Sequence, residues 1–163
     1  MNKRAAFKQN LSLRLSEPAD ETFLETVYAE TRRGELAICN WSREQENAFF
    51  KMQFLMQNKA YAMQFPDADF YVVESNRIPI GSLIVERGGE IKLVNIALLP
   101  EFRSQGIGTL LLEHLQTEAK AANKPLTLHV LKTNDRAVSL YQRRGFTVSD
   151  DNEIYLAMRW QNS

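Results

Sequence analysis

The sequence predicts an α/β (α+β) domain built on a mixed sheet of about seven strands flanked by about four helices. Three observations carry this. Between Phe70 and Leu98, three apolar stretches are joined by short turns, and strands joined that way must be antiparallel neighbours. From Glu90 to Leu131 the pattern runs strand, helix, strand, a crossover that makes its two strands parallel. At 163 residues the chain also has the length of one domain, enough to bury a substantial core.

In chain order, residues 1–10 are polar and read as a loose arm. Leu11, Leu13 and Leu15 alternate with polar residues at strand period. Pro18 and Asp20 start a helix carrying Phe23, Leu24, Val27 and Tyr28 on one face, which Gly34 should cap. Ser42 and Gln45 form the pattern of a capping box for a second helix, Arg43 to Met63. Its Ala48, Phe49, Met52, Leu55, Met56, Ala60 and Met63 recur at helical spacing and read as a core-facing stripe. Pro66 and Asp67 end it. The three antiparallel strands are Phe70–Glu74, Ile78–Arg87 and Glu90–Leu98, with turns at Ser75-Asn76-Arg77 and Gly88-Gly89.

A helix from Gly106 to about Ala122 should turn Ile107, Leu111, Leu115 and Ala119 inward, followed by a strand from Leu126 to Leu131. Asn134 then caps a short helix from Asp135 to Arg144 bearing Ala137, Leu140 and Tyr141 on one face, and Gly145 stops it. A hairpin around Asp150-Asp151-Asn152 joins Phe146–Ser149 to Ile154–Trp160.

Composition excludes several classes. Lys plus Arg and Asp plus Glu number 20 each, so the net charge points to no nucleic-acid or membrane partner. The single Cys39 rules out an intramolecular disulfide framework and fits a reducing compartment. With His114 and His129 far apart, the inventory is poor for a metal site, and none is expected. The start MNKRAAFKQNLSL has positive charge but no apolar run, and no spanning segment follows, so a soluble, cytoplasmic, single-domain protein is expected.

The stretch from Ile91 to Leu115 organises the chain. A strand breaks at Pro100, turns through Arg103-Ser104-Gln105-Gly106-Ile107-Gly108 and opens a helix. Unpaired N–H groups and the helix dipole at such a start attract an anion, and glycines let a phosphate approach the backbone. The turn has no GKS or GKT, and Leu111 stands where a dinucleotide fingerprint needs a third glycine. Nor does Leu126–Leu131 contain the acid that such a site places about 20 residues further on.

Arg103-x-x-Gly106-x-Gly108, after Leu98-Leu99-Pro100, resembles the coenzyme A loop of the GNAT superfamily of N-acetyltransferases, whose pattern is [Q/R]-x-x-G-x-[G/A]. A second signature resembles the same family: Asn134, Tyr141 seven residues later, and the pair Gly145-Phe146 opening the next strand. The resemblance implies the GNAT acyltransferase fold, splayed at the coenzyme strand, and acetyl-CoA as co-substrate. It implies that Ile96, Ala97 and Leu98 line the pantetheine arm, with the Leu98 backbone facing the acetyl carbonyl. Arg103, Ser104, Gln105, Gly106, Ile107, Gly108 and Thr109 would surround the pyrophosphate, and Asn134 would bind the pantetheine. Tyr141 would protonate the departing thiolate.

In ribosomal-protein N-terminal acetyltransferases of the superfamily, a glutamate five residues before the asparagine accepts the proton; here that position is His129. An imidazole can do this near neutrality, and the alternative is a partly buried histidine bonded to a carbonyl. Glu30, Glu35 and Glu86 are the other acidic candidates, and Asn95 a water relay. His114 reads as structural, and Cys39 lies outside both signatures, which favours direct transfer over an acetyl-cysteine. The expected activity is transfer of acetyl to a small-molecule or peptide amine entering across Glu30 to Trp41, with Tyr28, Trp41 and Phe65 as candidate walls. The alternatives are a silent acetyl-CoA-binding sensor and an acyltransferase acting on aminoacyl-tRNA. A homodimer is expected from family habit, with no feature of the sequence pointing to it.

Overall fold

The computed structural model describes residues 10–162; residues 1–9 of the expected arm lie outside the described residues. Seven strands are present: β1 (Leu11–Leu15), β2 (Asp69–Ser75), β3 (Ile78–Arg87), β4 (Ile91–Leu98), β5 (Leu126–Leu131), β6 (Thr147–Asp151) and β7 (Tyr155–Trp160). The four α-helices are α1 (Glu21–Arg32), α2 (Arg43–Gln64), α3 (Ile107–Ala122) and α4 (Asp135–Arg143). The sheet order is β1-β2-β3-β4-β5-β7-β6. The chain forms two compact units, one running through Ile84 together with Asn95–Gln105, the other comprising Val85–Val94 and Gly106 onward.

In the first unit, β1 pairs antiparallel with β2, from Leu11↔Ser75 to Leu15↔Tyr71. Arg14 locks this edge by reaching both Asp20 at 2.7 Å and Glu74 at 2.6 Å. The Arg14 guanidinium and the Glu17 N–H hold the Asp20 carboxyl down at about 2. Helix α1 ends at Arg32, next to the expected stop at Arg33–Gly34, but Gly34 does not cap it: the chain tightens into a 3₁₀ stretch, Arg33–Cys39, and the left-handed residue that ends that stretch is Asn40, at φ 53°. Asn tolerates that conformation because its short side chain bonds locally.

Helix α2 opens with the expected reciprocal cap: Ser42 Oγ accepts from Gln45 N–H at 3.2 Å, and Gln45 Oε1 accepts from Ser42 N–H at 2.9 Å. Tyr28 of α1 packs on Phe50 and Phe54 of α2, with ring centroids 6.4 and 5.9 Å apart. The buried side of α2 is therefore Phe50 and Phe54. The Met52, Leu55, Met56 and Met63 stripe, expected to face the core, faces solvent. Both sides of this helix are apolar, and periodicity alone favours the longer stripe.

Strands β2 and β3 are joined through Asn76 and Arg77, both left-handed at φ 53° and 65°, the pair that a two-residue I′ turn requires. The Gly88-Gly89 connection, by contrast, uses no positive φ.

In the second unit, Ile107, Leu111, Leu115 and Ala119 of α3 are all buried, as their spacing predicts. They share that core with Leu126, Leu128, Val130 and Met158. Buried Gln116 is satisfied by donating to the Arg144 carbonyl at 2.8 Å. Strand β5 runs antiparallel to β7, from Leu126↔Trp160 to Leu131↔Tyr155. Edge strand β6 carries a bulge between Val148 and Asp150 and continues through Asp151, past the expected end at Ser149. A bulge and paired acids are ways an edge resists pairing with another chain. No helix among the described residues is long and apolar enough to cross a membrane.

Candidate active site

In the first unit, the end of β4 is held by a close approach that sequence reading did not single out. A Cβ on Gly81 would stand 2.3 Å from the Ala97 carbonyl oxygen and 2.8 Å from Leu98 Cδ2, so only glycine lets β3 lie this close. A glycine inside a strand pattern was the available signal. Leu99 N–H donates to the Ile80 carbonyl at 2.9 Å. Alternation along a strand then directs the Leu98 N–H to the other edge of β4. That edge pairs with β5 from Ile91↔Leu126 to Leu93↔Leu128.

Arg103 Nε donates to the Leu98 carbonyl at 2.9 Å, which occupies one of its two lone pairs. Past the 3₁₀ turn Pro100–Phe102, Arg103, Ser104 and Gln105 are exposed, and Ser104 is left-handed at φ 60°. Gln105 Nε2 is tied to the Glu101 carbonyl at 2.6 Å.

The loop continues into the second unit with Gly106, at φ 84°, as the N-cap of α3. This residue has no side chain to cap the helix, and the first turn contains no acid. The N–H groups of Ile107, Gly108 and Thr109 therefore point out of a 16-residue helix without a capping side chain. The Ile107 side chain is buried and anchors that turn in the core. A Cβ on Gly108 would meet only Leu140 Cδ2, at 3.9 Å, so the first turn of α3 touches α4 beside Tyr141.

Asn134 Oδ1 caps α4 by accepting from Ala137 N–H at 3.2 Å. Its amide NH₂ has no partner among the described residues, so capping leaves a donor for a ligand. Tyr141 is 8% exposed, its ring 5.7 Å from that of Phe146. Its hydroxyl has no hydrogen-bond partner among the described residues. Burial pushes the phenol up to about 12. His129 lies opposite Ala157 on β5, exposed, on the face away from buried Leu128 and Val130. It is not the partly buried, carbonyl-bonded histidine of the alternative reading.

The remaining candidates divide clearly. In the first unit a polar cavity of about 210 Å³ lies between α1 and α2, lined by Glu25, Thr26, Ala29, Glu30, Arg33, Arg43, Asn47 and Phe50. Glu30 is engaged there by Arg33 at 3.3 Å and Arg43 at 3.4 Å, which leaves it poorly suited to act as a base. Tyr28 belongs to the α1–α2 aromatic packing, Trp41 stacks on Phe49 at 5.4 Å, and Phe65 packs on Tyr61 at 6.3 Å. Glu35 and His114 are exposed, and Glu86 and Asn95 are half-buried.

Comparison with known proteins identifies the family and the fold. The family described as an acetyltransferase (GNAT) domain matches residues 66–148, just over half of the chain. N-alpha-acetyltransferase 60 of Xenopus tropicalis is 43% identical over 58 residues, 33% of this chain and 24% of that protein. The chain thus spans about a quarter of that relative's length. The peptidyl-lysine N-acetyltransferase YjaB of Salmonella typhimurium is 29% identical over 74% of this chain and 81% of its own. Among solved structures, the PaiA N-acetyltransferase of Thermoplasma acidophilum in complex with coenzyme A superposes with a TM-score of 0.68 at 22% identity, covering 93% of this chain and 99% of that one. The mixed seven-stranded sheet with four helices is shared with it, and the chain belongs to the GNAT acetyltransferase family.

Proposed function

We propose that the protein transfers an acetyl group from acetyl-CoA to a primary amine by direct attack within a ternary complex. The observation that carries this reading is Tyr141: a buried side chain whose hydroxyl has no hydrogen-bond partner among the described residues, seven residues after Asn134, in a chain of this family. A sensor that only binds the coenzyme has no need of such a hydroxyl.

Acetyl-CoA supplies the acetyl group as an activated thioester. The uncapped N–H groups of Ile107, Gly108 and Thr109 fit a pyrophosphate, which the α3 dipole stabilises further. The free NH₂ of Asn134 donates to the pantetheine arm, flanked by Ile96 and Ala97. Leu98 N–H donates to the acetyl oxygen as negative charge develops on it. Arg103, Ser104 and Gln105 line the approach to the phosphates, with the Nη groups of Arg103 supplying positive charge.

In the transfer a C–N bond forms and the C–S bond breaks. His129 accepts the proton that the amine loses. Tyr141 keeps its own proton at neutral pH and donates a hydrogen bond to the departing sulfur. Outright donation from a phenol at about 12 to an ordinary thiolate at about 8.5 runs uphill by about 5 kcal/mol. The sulfur is therefore stabilised by the hydrogen bond, and its proton comes from the amine through His129 or from solvent.

The acceptor is a peptide or small-molecule amine. Support comes from the relatives, which are named as an N-alpha-acetyltransferase and a peptidyl-lysine N-acetyltransferase. The balanced net charge gives no support to an aminoacyl-tRNA acceptor. The test is release of free thiol from acetyl-CoA with a lysine peptide, a peptide bearing a free N-terminus and a polyamine. At least one should give turnover, and Tyr141→Phe should lower it about a hundredfold while sparing coenzyme binding. Turnover unchanged in Tyr141→Phe would remove the tyrosine from the mechanism.

A further inference from the structure

In the second unit, one face of the sheet is packed and the other is open. Leu128, Val130 and Met158 point into the core. Alternation therefore turns Thr127, His129 and Leu131 of β5, with Tyr155, Ala157 and Arg159 of β7, to the outer face. The register sets these in rows: Thr127 beside Arg159, His129 beside Ala157, and Leu131 beside Tyr155. On β6 the bulge after Val148 brings Asp150, one residue late, opposite Ala157. A bulge re-aims a side chain, and this one extends the His129 row with a carboxylate.

The rows differ in what they leave free. Thr127 and Arg159 are both engaged by Glu90, at 3.1 and 3.8 Å, which closes that end. Leu131 and Tyr155 form an apolar cross-strand pair, 42% and 43% exposed. Between these rows, His129 and Asp150 are exposed and stand about 10 Å apart, two strand spacings, with only the methyl of Ala157 in the gap. Asp150 has no ion-pair partner among the described residues, and its Oδ1 accepts from the Asp151 N–H at 2.9 Å. Asp151 itself is taken by Lys132. Alkyl amines arrive as cations at neutral pH, and the slot over Ala157 offers one a free carboxylate. Glu30, by contrast, is already held by Arg33 and Arg43.

Resting on the acetyl-transfer reading with His129 as base, we propose that this face is the acceptor subsite, and that it selects amines carrying a large apolar group a few carbons from the nitrogen. Asp150 draws the ammonium into the row it shares with His129, and the Leu131–Tyr155 pair takes the apolar group. That pair lies about 7 Å further along the strands, the span from an amine nitrogen across an aromatic ring on the adjoining carbons. A lysine ε-amine brings only its unbranched stem to that distance, and a short side chain does not reach it.

The experiment measures kcat and KM at saturating acetyl-CoA for phenylalanine amide, leucine amide, alanine amide and Nα-acetyl-lysine amide. It compares wild type with Leu131→Thr, Tyr155→Thr and Asp150→Asn. Threonine suits an exposed strand position, asparagine keeps the acceptor for the Asp151 N–H, and the thermal shift with acetyl-CoA checks that each variant is folded. Wild type should favour the phenylalanine and leucine amides about tenfold or more in kcat/KM, and each threonine variant should bring that preference to within about threefold of none. Asp150→Asn should raise KM about fivefold for every amine at low salt with kcat held, and the difference should close as salt is added. Turnover without the apolar preference, or a preference that survives both threonine substitutions, overturns the subsite and leaves acetyl transfer standing. An unchanged KM in Asp150→Asn refutes capture of the ammonium by this carboxylate. Turnover of none of the four amines with the acetyl-CoA shift retained also overturns the subsite, whereas loss of that shift in wild type overturns the acetyl-transfer reading beneath it.

Discussion

Gly81 and Ala97 are packed so closely that a single methyl group on Gly81 would penetrate to 2.3 Å from the Ala97 carbonyl oxygen. Separation is not free to increase there, because the atom in the way is backbone. The end of β4 therefore owes its position to the absence of a side chain on its neighbour.

Gly81→Ala should cost about 1–3 kcal/mol of stability, the range of overpacking, and should weaken acetyl-CoA binding as the strand end shifts. Denaturant titration and calorimetric binding check both. Gly34→Ala is the control: a Cβ there meets nothing within 4 Å, so stability should change by less than about 1 kcal/mol.

Asn134 caps α4, and on the proposed reading it also binds the coenzyme; the two functions are separable. Asn134→Asp keeps an acceptor for the Ala137 N–H, so helix stability should hold, yet it removes the NH₂ donor and should weaken coenzyme binding. Asn134→Ala should lose both, including about 1 kcal/mol from the missing cap. Equal coenzyme affinity in Asn134→Asp and wild type would show that capping is the residue's whole role.

His129 is exposed on the face of β5 turned away from the core, so its replacement should leave folding intact. His129→Gln should remove the acidic limb of the pH–rate profile and lower turnover about a hundredfold. An acidic limb that persists in the variant would assign the base elsewhere.

Burial holds the Tyr141 phenol at about 12, above its ordinary 10. The folded protein retains that proton where the unfolded chain releases it. The resulting stability is fully present below pH 10 and is lost as pH rises from 10 to 12, an effect of about 3 kcal/mol. Urea titrations at pH 8 and across this window should show the loss in wild type and a smaller one in Tyr141→Phe.

The order and type of the strands and helices were legible because each is written in local pattern: alternation at Leu11–Leu15, the box at Ser42 and Gln45, and the caps at Asn134 and Gly145. What sequence could not show was non-local. Gly34 suits a helix cap, but the chain tightens onward to Asn40 and leaves it unused. Met52 and Phe50 are equally apolar, and only packing against Tyr28 decides which side is inward. The tie from Arg103 to the Leu98 carbonyl is set by a side-chain conformation rather than by spacing. Tyr141 and Asn134 were singled out by the family resemblance, whereas the lack of a partner for the hydroxyl and the amide NH₂ among the described residues emerged only in three dimensions.

The central claim is that the turn opening α3 holds the pyrophosphate of acetyl-CoA, and the most direct measurement is thermal stabilisation by acetyl-CoA against ATP and NADH. At a hundred times its dissociation constant, a ligand of the folded state stabilises it by about 2.7 kcal/mol. A selective upward shift with acetyl-CoA is predicted. The absence of a shift at saturation, or an equal one with ATP, would contradict the assignment and leave the loop as a plain strand-to-helix turn.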